Sequence, residues 1–129
     1  MAHTGPVKPL TDRLGVKEGA RVSVLGVRDA GFVEELRRWG ADVSRRPRRG
    51  SDIVFLAADR VGDLERLVAL ERSIQRAGAI WVVFPKGRKD IREVDVIAAG
   101  PPAGLVDNKV VRFSESHTAL RFVVPLTRR

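Results

Sequence analysis

Four clusters in this chain carry residue types that do chemistry. The first is Gly26-Val-Arg-Asp-Ala-Gly31, entered by the β-branched run Val22 to Leu25 and followed by an amphipathic segment. Strand into glycine into helix is how a nucleotide-binding loop begins, with closely spaced glycines that let the backbone approach a pyrophosphate. Val27 and Arg28 follow Gly26, so there is no G-x-G. Gly26 and Gly31 have the outer spacing of a phosphate loop. However, Phe32 and Val33 stand where a Lys and a Ser or Thr would hold phosphate and magnesium. About twenty residues beyond Gly26, where an acid would hold a ribose, stand Arg45 and Arg46. Gly26, Arg28 and Gly31 are therefore cofactor-contact candidates in an incomplete motif. The plainer reading is a structural strand-to-helix turn, with no cofactor.

The second cluster is Trp81-Val-Val-Phe-Pro-Lys-Gly-Arg-Lys-Asp90. An apolar strand here runs into a proline and several charges, at the sheet edge where open α/β folds bind ligands. Pro85, Lys86, Arg88, Lys89 and Asp90 are candidates for an anion or ligand site. Asp90 is expected to cap the following helix, whose amino end adds positive potential. The competing reading is a basic turn before a capped helix.

The third cluster, Ser114-Glu-Ser-His-Thr118, brings together a hydroxyl, an imidazole and an acid. Adjacent residues in a tight turn do not form the relay of nucleophile, base and orienter that a triad needs. No G-x-S-x-G elbow is present either. Glu115 and His117 remain as ligand-binding candidates, with no catalytic residue assigned. The other histidine, His3, lies far away in sequence, so no histidine pair suggests a metal site.

The fourth is Arg45-Arg-Pro-Arg-Arg49, preceded by Arg37 and Arg38. Guanidinium groups suit phosphate contacts, which makes Arg45, Arg46, Arg48 and Arg49 nucleic-acid candidates. The run has no aromatic residue for base stacking, so it would hold a backbone without reading sequence. A solvated loop is the alternative.

The elements that must position these clusters follow from periodicity. Ala20–Val27 reads as a strand covered on both faces. Asp29 caps a helix with Phe32, Val33, Leu36 and Trp39 on its apolar side, ended by Gly40. Residues 42–46 have the pattern of a short strand, and 53–57 of a third. A long helix is expected from Asp59 or Asp63 to about Ala77. Val61, Leu64, Leu67, Val68 and Ile74 form its apolar face, with Arg66, Arg72 and Arg76 on another side. Ala79–Pro85 is a buried strand. Asp90–Ala99 is a short helix stopped by Gly100-Pro101-Pro102. Leu105–Phe113 and Leu120–Leu126 form an antiparallel hairpin. The order β-α-β, β-α-β-α, hairpin predicts an α/β fold: a trimmed Rossmann-like, mainly parallel sheet with helices on both faces and a C-terminal antiparallel hairpin. Residues 1–12 are expected as a flexible arm and 13–129 as one domain.

The 129 residues include no cysteine, which removes disulfides, thiolate metal sites and cysteine nucleophiles. A net charge of +8 allows a nucleic acid or other polyanion as partner. No apolar run reaches membrane-spanning length and no signal segment is visible, so the expectation is a cytoplasmic protein without membrane partners.

Three blocks resemble a small bacterial family catalogued as domain of unknown function 3052: residues 14–22, Trp81 to Lys86, and Gly104-Leu-Val-Asp-Asn-Lys-Val110. The resemblance spans about residues 14 to 124. That family's tryptophan strand ends in Trp-Pro-Lys, and here it is Phe84-Pro85-Lys86. Its hairpin reads roughly Asp-Glu-Thr-Trp-Ser-Gly-Leu-Lys/Arg-Phe. Here it reads Ser114-Glu-Ser-His-Thr-Ala-Leu-Arg-Phe122, retaining Glu115 and Leu-Arg-Phe but replacing the acid, the Trp and the Gly. The resemblance implies a Rossmann-like domain without known activity, whose strand order is similar to the class I methyltransferase fold. The leading expectation is a non-catalytic domain binding a protein partner or ligand. A methyltransferase-like cofactor-binding enzyme is the alternative, and it requires the Gly26 loop and the 85–90 edge to meet in one cleft. A nucleic-acid-binding protein comes third, and it requires the arginine run and the 86–89 loop to share one face.

Overall fold

The computed structural model describes residues 9–129. One six-stranded sheet organises them: β1 (Arg21–Leu25), β2 (Asp42–Ser44), β3 (Ser51–Ala57), β4 (Ile74–Pro85), β5 (Val106–Arg112) and β6 (His117–Val123), in the order β2-β1-β3-β4-β6-β5. The strands β2, β1, β3 and β4 are parallel, and β6 joins β4 antiparallel with β5 outside it. This is the expected α/β architecture, including the antiparallel C-terminal hairpin.

Alternate residues of each central strand face opposite layers. Val22, Val24, Phe55, Trp81 and Val83 pack with Leu14, Phe32, Val33 and Leu36, the last three from α2 (Ala30–Arg38). Leu25, Val54, Leu56, Ile80, Val82 and Phe84 pack with Leu67 and Leu70 of α3 (Leu67–Ser73) and Val96 of α4 (Glu93–Ala99). Both faces are covered, so the central strands read as nearly unbroken apolar runs.

Several boundaries differ from expectation for physical reasons. The long helix is instead a 3-10 segment, Val61–Arg66, followed by the short α3, and β4 already begins at Ile74. Leu64, Leu67, Leu70 and Glu71 are its buried residues, while Val61 and Val68 stay about half exposed. Ile74 pairs with Ser51 and Ala79 with Ile53, so the Gln75–Gly78 stretch is an irregularity in the ladder. Gly78 is required there: a Cβ would lie 2.7 Å from the Asp52 carbonyl oxygen. Asp90 caps nothing. The last helix starts three residues later, at Glu93, where the Asp95 carboxylate accepts from the Arg92 N–H at 2.9 Å. The hairpin turn is shorter than expected, since β6 begins at His117. Residues 42–44 do form a strand, in register with Arg21–Ser23.

Of the expected flexible arm, residues 1–8 lie outside the described residues. Leu10–Arg13 forms a helical turn, α1, with Thr11 buried. Two indoles hold the segment that follows. Trp81 Nε1 donates to the Leu14 carbonyl at 3.0 Å, and Trp39 Nε1 donates to the Val16 carbonyl at 2.6 Å. Trp39 therefore works as a hydrogen-bonding cap residue beyond α2 and not as part of its apolar face.

Candidate ligand pocket at the carboxyl edge

The chain leaves β1 for β2 on one side and returns to β3 on the other. The crevice beyond the carboxyl ends of β1 and β3 is therefore a topological switch point, the usual ligand position in open α/β sheets. A cavity of about 1010 Å³ occupies it. The β1–α2 loop contributes Gly26, Val27, Arg28 and Asp29 to its lining. The segment after β3 contributes Asp59, Arg60, Val61 and Gly62. Pro85, Arg88 and Asp90 follow β4, and Phe113, Ser114, Ser116 and His117 come from the hairpin turn.

Local chemistry fixes each wall. Gly26 has φ 80°, the left-handed region that suits glycine. Asp29 caps α2, its Oδ1 accepting from the Phe32 N–H at 3.2 Å. The Phe32 ring then meets Phe55 edge-on at 4.9 Å and Phe113 at 4.8 Å between centroids. Phe113 enters the hairpin turn, so this aromatic trio sets the turn against the first loop. The Asp63 carboxylate accepts from the Asp59 and Arg60 N–H groups at 2.9 and 3.2 Å, shaping the wall after β3. The Lys86 N–H donates to the Ser116 carbonyl at 2.9 Å and ties the 85–90 loop to the turn.

The charges on the lining are matched. Each of the three parallel strands around the cavity is followed by an arginine and an aspartate: Arg28 with Asp29, Asp59 with Arg60, Arg88 with Asp90. Of these, only Arg88 and Asp90 approach each other as an ion pair, at 3.5 Å between exposed side chains. Arg28 and Arg60 make no ion pair with another described residue. In the turn, Ser116 Oγ and His117 Nδ1 are 2.7 Å apart, and the His117 N–H donates to Ser114 Oγ at 3.1 Å. A Ser–His contact is thus present in the turn. The described residues place no carboxylate on the imidazole, so the relay is still without its orienting acid.

Of the candidates read from sequence, the fold brings Gly26, Arg28, Pro85, Arg88, Asp90 and His117 to this cavity. Gly31 lies inside α2 and Glu115 at the exposed tip of the turn, and neither lines it. Lys86 and Lys89 line an adjoining cavity. The arginine run is elsewhere. Arg48 donates to the Asp42 and Val22 carbonyls at 2.6 and 3.3 Å, and Ser51 Oγ donates to the Arg48 carbonyl at 2.6 Å. That anchors the run toward the amino end of the sheet. Arg48 is therefore held at the edge of the sheet opposite the 86–89 loop. Sequence reasoning missed Asp59 and Arg60 as site residues. Their signal was positional: they directly follow the apolar run that pairs with β1.

No family model matches the chain and no curated protein matches it, so the resemblance to domain of unknown function 3052 rests on its three motifs alone. Solved structures do resemble it. A SAM-dependent methyltransferase from Aquifex aeolicus superposes with a TM-score of 0.69 at 15% identity, covering 88% of this chain and 87% of the other. A TehB-like SAM-dependent methyltransferase from Corynebacterium glutamicum gives 0.63 at 14%, covering 88% and 85%. The fold is methyltransferase-like. A protein described as a pericyclic reaction enzyme also matches, with a TM-score of 0.61 at 12% identity over 92% of this chain and 47% of the other. Likeness at this level of identity speaks for the fold and leaves the chemistry to the site.

Proposed function

We propose that this chain is a methyltransferase-like cofactor-binding protein whose carboxyl-edge cavity takes S-adenosylmethionine or its demethylated product. The observation that carries this reading is the meeting of the Gly26 loop, the Asp59–Arg60 segment, the 85–90 loop and the hairpin turn around one cavity at the switch point. It favours this reading over the leading expectation of a non-catalytic partner-binding module, which offers no reason for such convergence.

The lining fits the ligand in size and charge. About 1010 Å³ lies at the upper end of the ~300–1,000 Å³ usual for small-molecule sites. The methyl donor carries a zwitterionic amino-acid tail and ribose hydroxyls. Paired arginines and aspartates present both a cation for a carboxylate and acceptors for an ammonium or a hydroxyl. The β1–α2 loop can approach closely at Gly26. The ribose acid is not at the end of β2, where Ser44 is followed by Arg45, so Asp59 or the second oxygen of Asp29 takes that role. Bound donor would supply an electrophilic methyl group. His117 is the only imidazole among the described residues of the lining, and in the tautomer whose Nδ1–H donates to Ser116 Oγ its Nε2 is left as a base for an acceptor's proton.

Calorimetric titration with S-adenosylhomocysteine tests the reading. Binding is expected, and the exposed pair change Asp59→Ala with Arg60→Ala should weaken it by roughly tenfold, the loss of one good charge-assisted contact. A wild-type protein that shows neither heat nor thermal shift with donor or product returns the chain to the non-catalytic reading. At 100 times its dissociation constant a ligand would add ~2.7 kcal/mol of apparent stability, so a missing shift is decisive.

A further inference from the structure

Beside the large cavity lies a second one of about 400 Å³, lined by Phe84, Ile91 and Thr118 and by Lys86, Arg88, Lys89 and Arg92. Pro85 and Arg88 line both cavities, so the two adjoin at that point. Their electrostatics differ. Cations and carboxylates balance in the large cavity, whereas the smaller one has four cations against a single acid, Glu93. Internal pairing scarcely neutralises them. Arg92 meets Asp95 only at 3.8 Å and Arg88 meets Asp90 at 3.5 Å, with these side chains largely exposed except for Asp95. Lys86 and Lys89 make no ion pair with another described residue.

We propose that this annex is the acceptor-substrate subsite and that it takes a small phosphate-bearing molecule. The proposal rests on the large cavity being the cofactor site. Ammonium groups bind phosphate as point charges, and guanidinium groups add a planar fork of donors. The volume lies within the usual range for a small-molecule site. A single-stranded nucleic acid would need aromatic faces on which bases stack. The one aromatic side chain here, Phe84, is buried at 3% exposure and forms the floor. A ligand phosphate held by Lys86, Lys89 and Arg92 would leave the rest of the molecule directed past Pro85 and Arg88, toward the neighbouring cavity. Gly87, with φ 68°, makes the turn that carries these side chains around the floor.

Pyrophosphate is the probe, titrated calorimetrically into the whole protein at two salt concentrations, with S-adenosylhomocysteine titrated separately. The triple change Lys86→Ala, Lys89→Ala and Arg92→Ala touches only exposed side chains and spares Arg88, which both cavities share. The expected result is pyrophosphate binding to the wild type, weakened at least tenfold by the triple change, with binding of S-adenosylhomocysteine kept within twofold. Lys86→Arg alone should retain pyrophosphate binding. No pyrophosphate binding by the wild type, or equal binding by the triple variant, overturns the proposal. A short single-stranded RNA that binds where pyrophosphate does not, and is lost in the triple variant, overturns it in favour of a nucleic-acid surface. Pyrophosphate binding without S-adenosylhomocysteine binding keeps the annex as a phosphate site but removes the cofactor reading beside it.

Discussion

Asp29 joins the fold to the site at the scale of a single residue. One carboxylate oxygen satisfies the Phe32 amide at the start of α2, and the residue also lines the large cavity. Asp29→Ala removes the cap at a cost of ~1 kcal/mol, to be read as a lower midpoint in urea unfolding. It should also weaken S-adenosylhomocysteine binding, because its second carboxylate oxygen lines the cavity as an acceptor for the ribose hydroxyls. Asp29→Ser separates the two roles, since a serine hydroxyl restores the cap without the charge. Stability should recover while binding stays reduced, and recovery of both would make Asp29 a cap only. The cap was legible in the sequence because an aspartate directly before an amphipathic run has one common use. Asp59 and Arg60 were not legible as site residues, because a charged pair after a strand looks the same whether it faces a cavity or open solvent. Only the pairing of β3 beside β1 separates the two cases.

Among the elements, those with a strong two-residue or helical period were readable, and those whose ends depend on tertiary contacts were not. The run 79–85 is apolar at every position up to its proline, which marks a strand buried on both faces. Nothing local announces that β4 starts five residues earlier. Ile74 continues the helical spacing of Leu64, Leu67 and Leu70, and it leaves the helix only because Ser51 offers a strand partner. Gly100 presents the opposite case. It reads as a helix stop, and it does end α4, but packing also demands a glycine. A Cβ there would overlap the edge of the fully buried Phe122 ring and come within 3.2 Å of the Leu105 carbonyl oxygen. Its φ of −69° is ordinary, so the restriction is one of space and not of backbone freedom. Gly100→Ala should therefore destabilise by about 1–3 kcal/mol, as overpacking of a tight core does, despite alanine's better helix propensity. A stabilised variant in urea unfolding would show that Phe122 can move aside at little cost.

Across the whole molecule, Arg48 of the arginine run and the Lys86–Arg92 annex stand at different levels of the sheet. Val22, Ile53 and Ala79 stand at one level of the sheet, and the Val22 carbonyl is where Arg48 is anchored. Pro85 lies six residues further along β4, which at ~3.3 Å per residue is roughly 20 Å toward the carboxyl edge. The Lys86–Arg92 annex thus sits more than two Debye lengths from Arg48, given ≈ 8 Å at physiological ionic strength. Charges that far apart across solvent act almost independently. Changing Arg45, Arg46 and Arg49 together to serine should therefore leave pyrophosphate affinity within about twofold at physiological salt, and the difference should grow only when salt is lowered and the field reaches further. Arg48 is left in place because it bridges Asp42 at 3.2 Å and holds β2 to the sheet. Should the serine variant lose pyrophosphate as fully as the annex variant does, the ligand would be responding to the field of the whole protein, and a site built locally from Lys86, Lys89 and Arg92 would no longer explain the binding.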